Sequence, residues 1–160
     1  MKNVFKTAIA SLVLGSALLA GSAAAATLTS CTLTNGKQVS VDLQKNGDFG
    51  YTLYNKQGVE ELVLQQDDST VYAFSHYETL RTGDFWYIRF HKGVYDYVVT
   101  ALDDGQNPSF DGLFVLKNGK KIATLTCDAS GYTRENMQQA FTGTMADDAD
   151  SAQRILDIVY

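Results

Sequence analysis

The chain has 160 residues, 45% of them hydrophobic, with 13 Lys+Arg against 18 Asp+Glu and a formal net charge of −5. The apolar share is enough for one packed core and excludes a disordered chain. The acidic balance argues against nucleic acid and anionic membranes, which need clustered Lys and Arg, and suits a basic partner.

Residues 1–26 read as a secretory signal. Lys2 and Lys6 give the positive start, Ala8 to Ala20 an apolar stretch, and Gly21 to Ala26 a run of small residues with several A-x-A cleavage choices. The stretch is too short to span a bilayer comfortably, and no later stretch is apolar enough. Removing residues 1–26 takes away Lys2 and Lys6 and no acid, leaving 11 basic against 18 acidic residues, a balance of −7. The rest of the chain has the length of one domain.

Cys31 and Cys127 are the only cysteines. An even count in an exported chain favours a disulfide, and no Cys-x-x-Cys or Cys-His pattern suggests catalysis. The competing expectation is a lipid anchor: Leu28-Thr29-Ser30-Cys31 resembles a lipobox, which would place a lipid on Cys31. The location expected is periplasmic or secreted, with lipid anchoring through Cys31 as the alternative.

From residue 28 to 127 short runs rich in Val, Tyr, Phe, Thr and Leu alternate with turn signals. That rhythm predicts an all-β, mainly antiparallel fold, a small β-barrel or closed sandwich of about eight strands over residues 27–127. Val39, Val41 and Leu43 alternate with polar residues, as do the residues of Phe49–Tyr54 and Thr70–Tyr77. Asn35-Gly36, Asn46-Gly47 and Asn118-Gly119 are hairpin signals, because Asn and Gly tolerate positive φ. Pro108 falls in a polar loop, Asp103 to Ser109, where it breaks no ladder. A Cys31–Cys127 bond would tie the ends of the sheet together, as closure into a barrel requires.

One hairpin can be read in register. With Lys92-Gly93 as a two-residue loop, Phe90 faces Tyr95, Ile88 faces Tyr97 and Trp86 faces Val99, all on one core face. On the other face Arg89 opposes Asp96 and Tyr87 opposes Val98. Several strands are therefore apolar on both faces, and something must cover the second. The tail, residues 128–160, is the expected cover. Asp147–Tyr160 has acids at its start, suited to a helix N-terminus, and an apolar stripe of Ala149, Ala152, Ile155, Leu156 and Val159. A shorter helix is expected over Thr133–Phe141, with Thr133 as its cap.

Chemistry is sparse. His76 and His91 sit on separate predicted strands without metal-ligand spacing, so no metal and no cofactor is expected. Ser75 and His76 are neighbours whose side chains point to opposite faces of a strand. There is no Gly-x-Ser-x-Gly elbow and no phosphate loop. The acid pairs Glu60-Glu61, Asp67-Asp68 and Asp103-Asp104 read as solvated turns and strand ends. No catalytic residue is assigned, and a non-enzyme is expected. The remaining signal is the cluster Asp84 to His91, with the Tyr77–Asp84 loop beside it. Tyr and Arg anchor interfaces, so Glu78, Arg81, Tyr87, Arg89 and His91 are the candidate partner-binding residues.

The frame Cys31…Asn35-Gly36-Lys37, Trp86-Tyr87-Ile88-Arg89-Phe90 with Gly93 and Tyr95-Asp96-Tyr97, and Gly119 to Cys127 resembles a group of small exported proteobacterial proteins of unknown function. More distantly its layout is similar to the periplasmic and lipoprotein inhibitors of c-type lysozyme. That resemblance implies a small antiparallel β-barrel, often disulfide-bonded, that inserts a loop into the lysozyme cleft. The family's Ser-Gly-x-x-Tyr motif is absent from the strand region, and Ser130-Gly131-Tyr132 is spaced differently, so no inhibitory residue is carried across. The expectation is an exported binding protein without catalysis, an inhibitor of a basic hydrolase such as lysozyme. The alternatives are a carrier of a small apolar ligand in the barrel interior and an immunity protein against a bacterial toxin. The sequence leaves monomer and dimer open.

Overall fold

The computed structural model describes residues 26–67, 69–103, 105, 110–132, 141 and 146–160. The segment expected to be a secretory signal, apart from Ala26, and the short helix expected over Thr133–Phe141, apart from Phe141, lie outside the described residues. Among the described residues nine strands follow one another: β1 Ala26–Leu33, β2 Gln38–Leu43, β3 Phe49–Tyr54, β4 Glu60–Gln65, β5 Tyr72–Thr79, β6 Asp84–Lys92, β7 Tyr95–Asp103, β8 Phe110–Lys117 and β9 Lys120–Tyr132. Among the described residues a helix, α1, spans Ala149–Val159. No helix among the described residues is long and apolar enough to cross a membrane.

The turns explain the early meander. In β1–β2, β2–β3 and β3–β4 the glycine N–H bonds back three residues, Gly36 to Leu33 O, Gly47 to Gln44 O and Gly58 to Asn55 O. Each of these glycines holds positive φ, 78°, 90° and 76°. This is a tight turn followed by a left-handed glycine, a common three-residue hairpin connection. Asn118-Gly119 is different although the dipeptide is the same. Both residues have positive φ, 50° and 72°, and Lys117 pairs directly with Lys120, the mirror-image two-residue turn that suits the strand twist.

The β6–β7 hairpin keeps the expected faces but not the expected loop. Its two-residue turn is Gly93-Val94, with Gly93 at φ 63°, so the register moves by two residues. Phe90 faces Tyr97, Ile88 faces Val99, Trp86 faces Ala101 and Arg89 faces Val98. A glycine fits the first central position of this turn type, whereas placing it second was the sequence expectation. Side chains alternate, so a shift of two leaves every residue on its face.

The strand order is β4-β3-β2-β1-β9-β8-β7-β6-β5, antiparallel throughout. The all-β expectation holds, but the sheet does not close into a barrel. The physical reason is parity. An antiparallel ring needs an even number of strands, and nine would force β4 and β5 to meet parallel. A parallel connection needs about a dozen residues or more, and only residues 66–71 separate the two strands.

β9 joins the two halves of the sheet. Its first part pairs with β8, from Lys120↔Lys117 to Thr126↔Gly112, and its second with β1, from Cys127↔Leu33 to Tyr132↔Thr29. Cys31 and Cys127 are bonded, with Cα atoms 5.6 Å apart. The bond therefore crosses neighbouring strands in the middle of the order rather than its free ends. Cys31 is buried within a paired β1 strand, so the lipid-anchor alternative, which uses the same sulfur, is set aside.

The inner faces of the two halves pack on each other around Leu33, Val41, Phe49, Tyr51, Ile88 and Phe90. Tyr51 lies 5.5 Å from Phe90 and 5.8 Å from Tyr97, ring to ring. The outer face of β6–β8 forms a second core. Phe85, Tyr87, Val98, Phe114 and Leu116 pack against Ala152 and Ile155 of α1. The tail reaches that face around the β5 edge. The Phe141 ring centre lies 6.0 Å from that of Tyr77 on the inner side, the rings tilted, and the Asp147 N–H bonds to Ser75 O at 3.0 Å. Within α1 the buried side is Ser151, Ala152 and Ile155, while Ala149, expected in the stripe, is exposed.

Candidate functional site

Alternation along β6 puts Tyr87, Arg89 and His91 on the outer face, the side that α1 covers. They meet Asp96 of β7 and Asp147 of the tail. Arg89 donates from Nε to Asp147 Oδ2 at 2.8 Å, from Nη2 to Asp147 Oδ1 at 2.6 Å and from Nη1 to Asp96 Oδ1 at 3.0 Å. The Tyr87 hydroxyl donates to Asp147 Oδ2 at 2.8 Å, and His91 Nδ1 lies 2.9 Å from Asp96 Oδ1. The Arg89 guanidinium also stands 4.3 Å above the Phe74 ring centre. The fork of Arg matches a carboxylate in two parallel bonds, the strongest geometry such a pair can take.

The electrostatics follow from burial. The Asp147 side chain is 1% exposed and Arg89 14%. Burial works to lower the Arg89 pKa, but the bonds and charge of Asp147, then of Asp96, outweigh it and hold Arg89 above its ordinary value. Burial first, and the bond to Asp147 second, push the Tyr87 phenol well above its usual range. Beside the network a cleft opens between the sheet and the helix, with Arg89, Asp96, Leu116, Ser151 and Arg154 among its walls. Arg154 donates to Ser151 Oγ at 2.6 Å, and Asp148 caps α1 by accepting the Ser151 N–H at 2.8 Å. The Ser151 hydroxyl, which donates to Asp148 Oδ2 at 2.7 Å, and then the Ser151 N–H lower the Asp148 pKa.

The five candidate partner-binding residues thus separate. Tyr87 is fully buried, and Arg89 is held by the tail. Both stay on the outer face of the sheet, beneath the tail, and their polar atoms fasten Asp147. His91 is half-buried against Asp96. Glu78 and Arg81 are exposed at the β5–β6 hairpin. That hairpin has a firm base. The Tyr77 hydroxyl donates to Asp84 Oδ1 at 2.7 Å, the Leu80 N–H bonds to Gly83 O at 2.9 Å, and Leu80 packs on the outer core.

His76 stacks on Tyr87 with centroids 5.5 Å apart, and its Nε2 is 3.6 Å from Glu78 Oε2. Among the described residues no group of three or more His, Cys, Asp or Glu could hold a metal ion. Asp147 was the residue sequence reasoning missed. The sequence reading places its acid at the helix N-terminus, where Asp148 is the cap, and pairs Arg89 with Asp96 only. The chain matches no family model, no curated protein and no solved structure.

Proposed function

We propose that this protein is an exported binding protein without catalysis, acting on a basic protein partner, with a lysozyme-type hydrolase as the first candidate. The observation that carries the reading is the β5–β6 hairpin. It presents exposed Glu78 and Arg81 on a base fastened by the Tyr77–Asp84 bond. Residues held in place before binding lose less freedom on association, which suits a recognition loop. Two further points support it. The polar groups richest in chemistry, Arg89, Asp96, Asp147 and Tyr87, are engaged in holding the tail. The balance of −7 after loss of residues 1–26 speeds encounter with a basic protein.

The disulfide fits an oxidising compartment, and the periplasm is the location proposed. The carrier reading gains no comparable support, because Tyr51, Trp86, Ile88 and Phe90 occupy the inner face where a ligand would lie.

The test is cell-wall lysis by c-type lysozyme with the oxidised protein added, at low and at physiological salt. The expected result is saturable inhibition that survives the higher salt and weakens in Glu78→Ala and Arg81→Ala. Inhibition that vanishes with salt, or none, overturns the lysozyme assignment.

A further inference from the structure

The open strand order leaves two terminal strands, and they are finished differently. The tail meets the β5 edge at its middle, Ser75, through the Asp147 N–H to Ser75 O bond and the bridge from Ser75 to Ala146. β4 pairs with β3 on one side only, and among the described residues nothing covers its other side. The Gln66 N–H to Phe49 O bond, 3.0 Å, sets the alternation of the ladder. Leu64 and Leu62 turn their backbone groups toward β3, and Gln65 and Val63 turn theirs to the open edge. β4 carries no proline and no lysine, the residues that commonly blunt such an edge. Val63 on its outer face is 42% exposed.

The sequence of this edge is symmetric. Glu60-Glu61-Leu62-Val63-Leu64-Gln65-Gln66 reads as two acids, an apolar centre on Val63 and two carboxamides. Lay a second copy antiparallel to it, with a two-fold axis through Val63. Val63 then faces Val63 of the second copy, Leu62 faces Leu64, Glu61 faces Gln65 and Glu60 faces Gln66. Inner-face leucines continue the core across the junction, and carboxylate acceptors meet carboxamide donors. No acid faces an acid. Sliding the copy one step toward the acids sets Glu61 against Val63 and Glu60 against Leu64, and one step the other way sets Val63 against Gln65 and Leu62 against Gln66, so either slide puts polar side chains against apolar ones. The bulge opposite Tyr54 ends the regular ladder beyond Leu62, so its centre is Leu62–Gln65.

We propose that β4 is the edge through which two copies of this chain pair, antiparallel and centred on Val63. Such an interface is isologous, the commonest kind in soluble oligomers. It is independent of the partner-binding reading above.

Sedimentation equilibrium on the oxidised protein tests it. The expected result is a reversible dimer that Val63→Lys weakens by at least about tenfold, because two ammonium groups then meet on the axis. Val63 is partly exposed on the outer face, so an unchanged circular dichroism spectrum confirms that the variant folds. The native cysteines are bonded to each other, so a Val63→Cys thiol is free for a short bismaleimide. Val63→Cys should cross-link to itself, whereas Glu61→Cys and Gln65→Cys should cross-link only when mixed. A monomer at every concentration overturns the proposal. So does a dimer that Val63→Lys leaves intact, or one that Val63→Cys fails to cross-link.

Discussion

Asp147 receives both Nε and Nη2 of Arg89, at 2.8 and 2.6 Å, and so a residue of the tail closes on a cation from the middle of β6. The pair decides whether the tail stays docked. Removing Arg89 leaves Asp147 buried without its cation, and removing Asp147 leaves Arg89 with Asp96 alone. Arg89→Ala or Asp147→Ala should each lower unfolding stability by about 3–5 kcal/mol in urea melts. The double variant should cost clearly less than the two losses added. Amide exchange should rise first in α1. Additive losses, or no change in α1, would refute the latch.

Tyr51 and Tyr87 make the protein sensitive to alkali. Burial raises both phenols well above the ordinary value of 10.0. The unfolded chain sheds these protons near the ordinary value, while the folded chain keeps them. The unfolded state therefore binds fewer protons, and stability falls as pH rises above about 10. Below that pH the two phenols leave stability flat. Spectrophotometric titration at the phenolate band should show fewer than the full nine tyrosines ionising before the protein unfolds. Among the described residues the buried Tyr51 hydroxyl has no hydrogen-bond partner, so Tyr51→Phe should be neutral or stabilising by about 1 kcal/mol.

Reduction should matter more than any single surface change. The Cys31–Cys127 bond closes a separation of 96 residues. Chain-entropy estimates for a loop of this order give about 4–5 kcal/mol. Urea melts with and without reductant, and of the Cys31→Ala/Cys127→Ala double variant, should agree on that loss. A midpoint unmoved by reduction would contradict it.

Gly112 and Gly50 form a matched comparison. A Cβ at Gly112 would come within 2.4 Å of Leu125 O and 2.6 Å of the Phe110 ring, and the backbone oxygen cannot step aside. Gly112→Ala should cost about 2–3 kcal/mol. At Gly50 the nearest atoms, at 3.0 Å, belong to the Gln65 side chain, which can swing away. Gly50→Ala should be close to neutral by the same melt.

Much of the strand content was legible because alternation and Asn-Gly turns are local signals. Trp86, Ile88 and Phe90 were placed on the core face correctly even with the loop misread, since the error was an even number of residues. Arg89 beside Asp96 survived for the same reason, now as a diagonal contact. Closure of the sheet was not legible. It turns on whether the strands number eight or nine, a fact about the whole chain that no window of residues contains. Glu78 and Arg81 were found at a hairpin because loop composition is local. The burial of Tyr87 and Arg89 was not legible in β6 alone, because it depends on where a tail that begins its helix at Ala149 comes to rest.

The place of β9 has a consequence for how the chain folds. Seven of the eight strand pairings join neighbours in sequence, and only β1 with β9 does not. The seven can form early, each closing a short loop, as two separate meanders, β1–β4 and β5–β9. The eighth waits for the last strand. Cys31 and Cys127 lie in that late pairing, so their oxidation follows the docking of the two meanders and locks it. A chain caught before that moment would hold two thiols and two half-sheets, each with its apolar face bare.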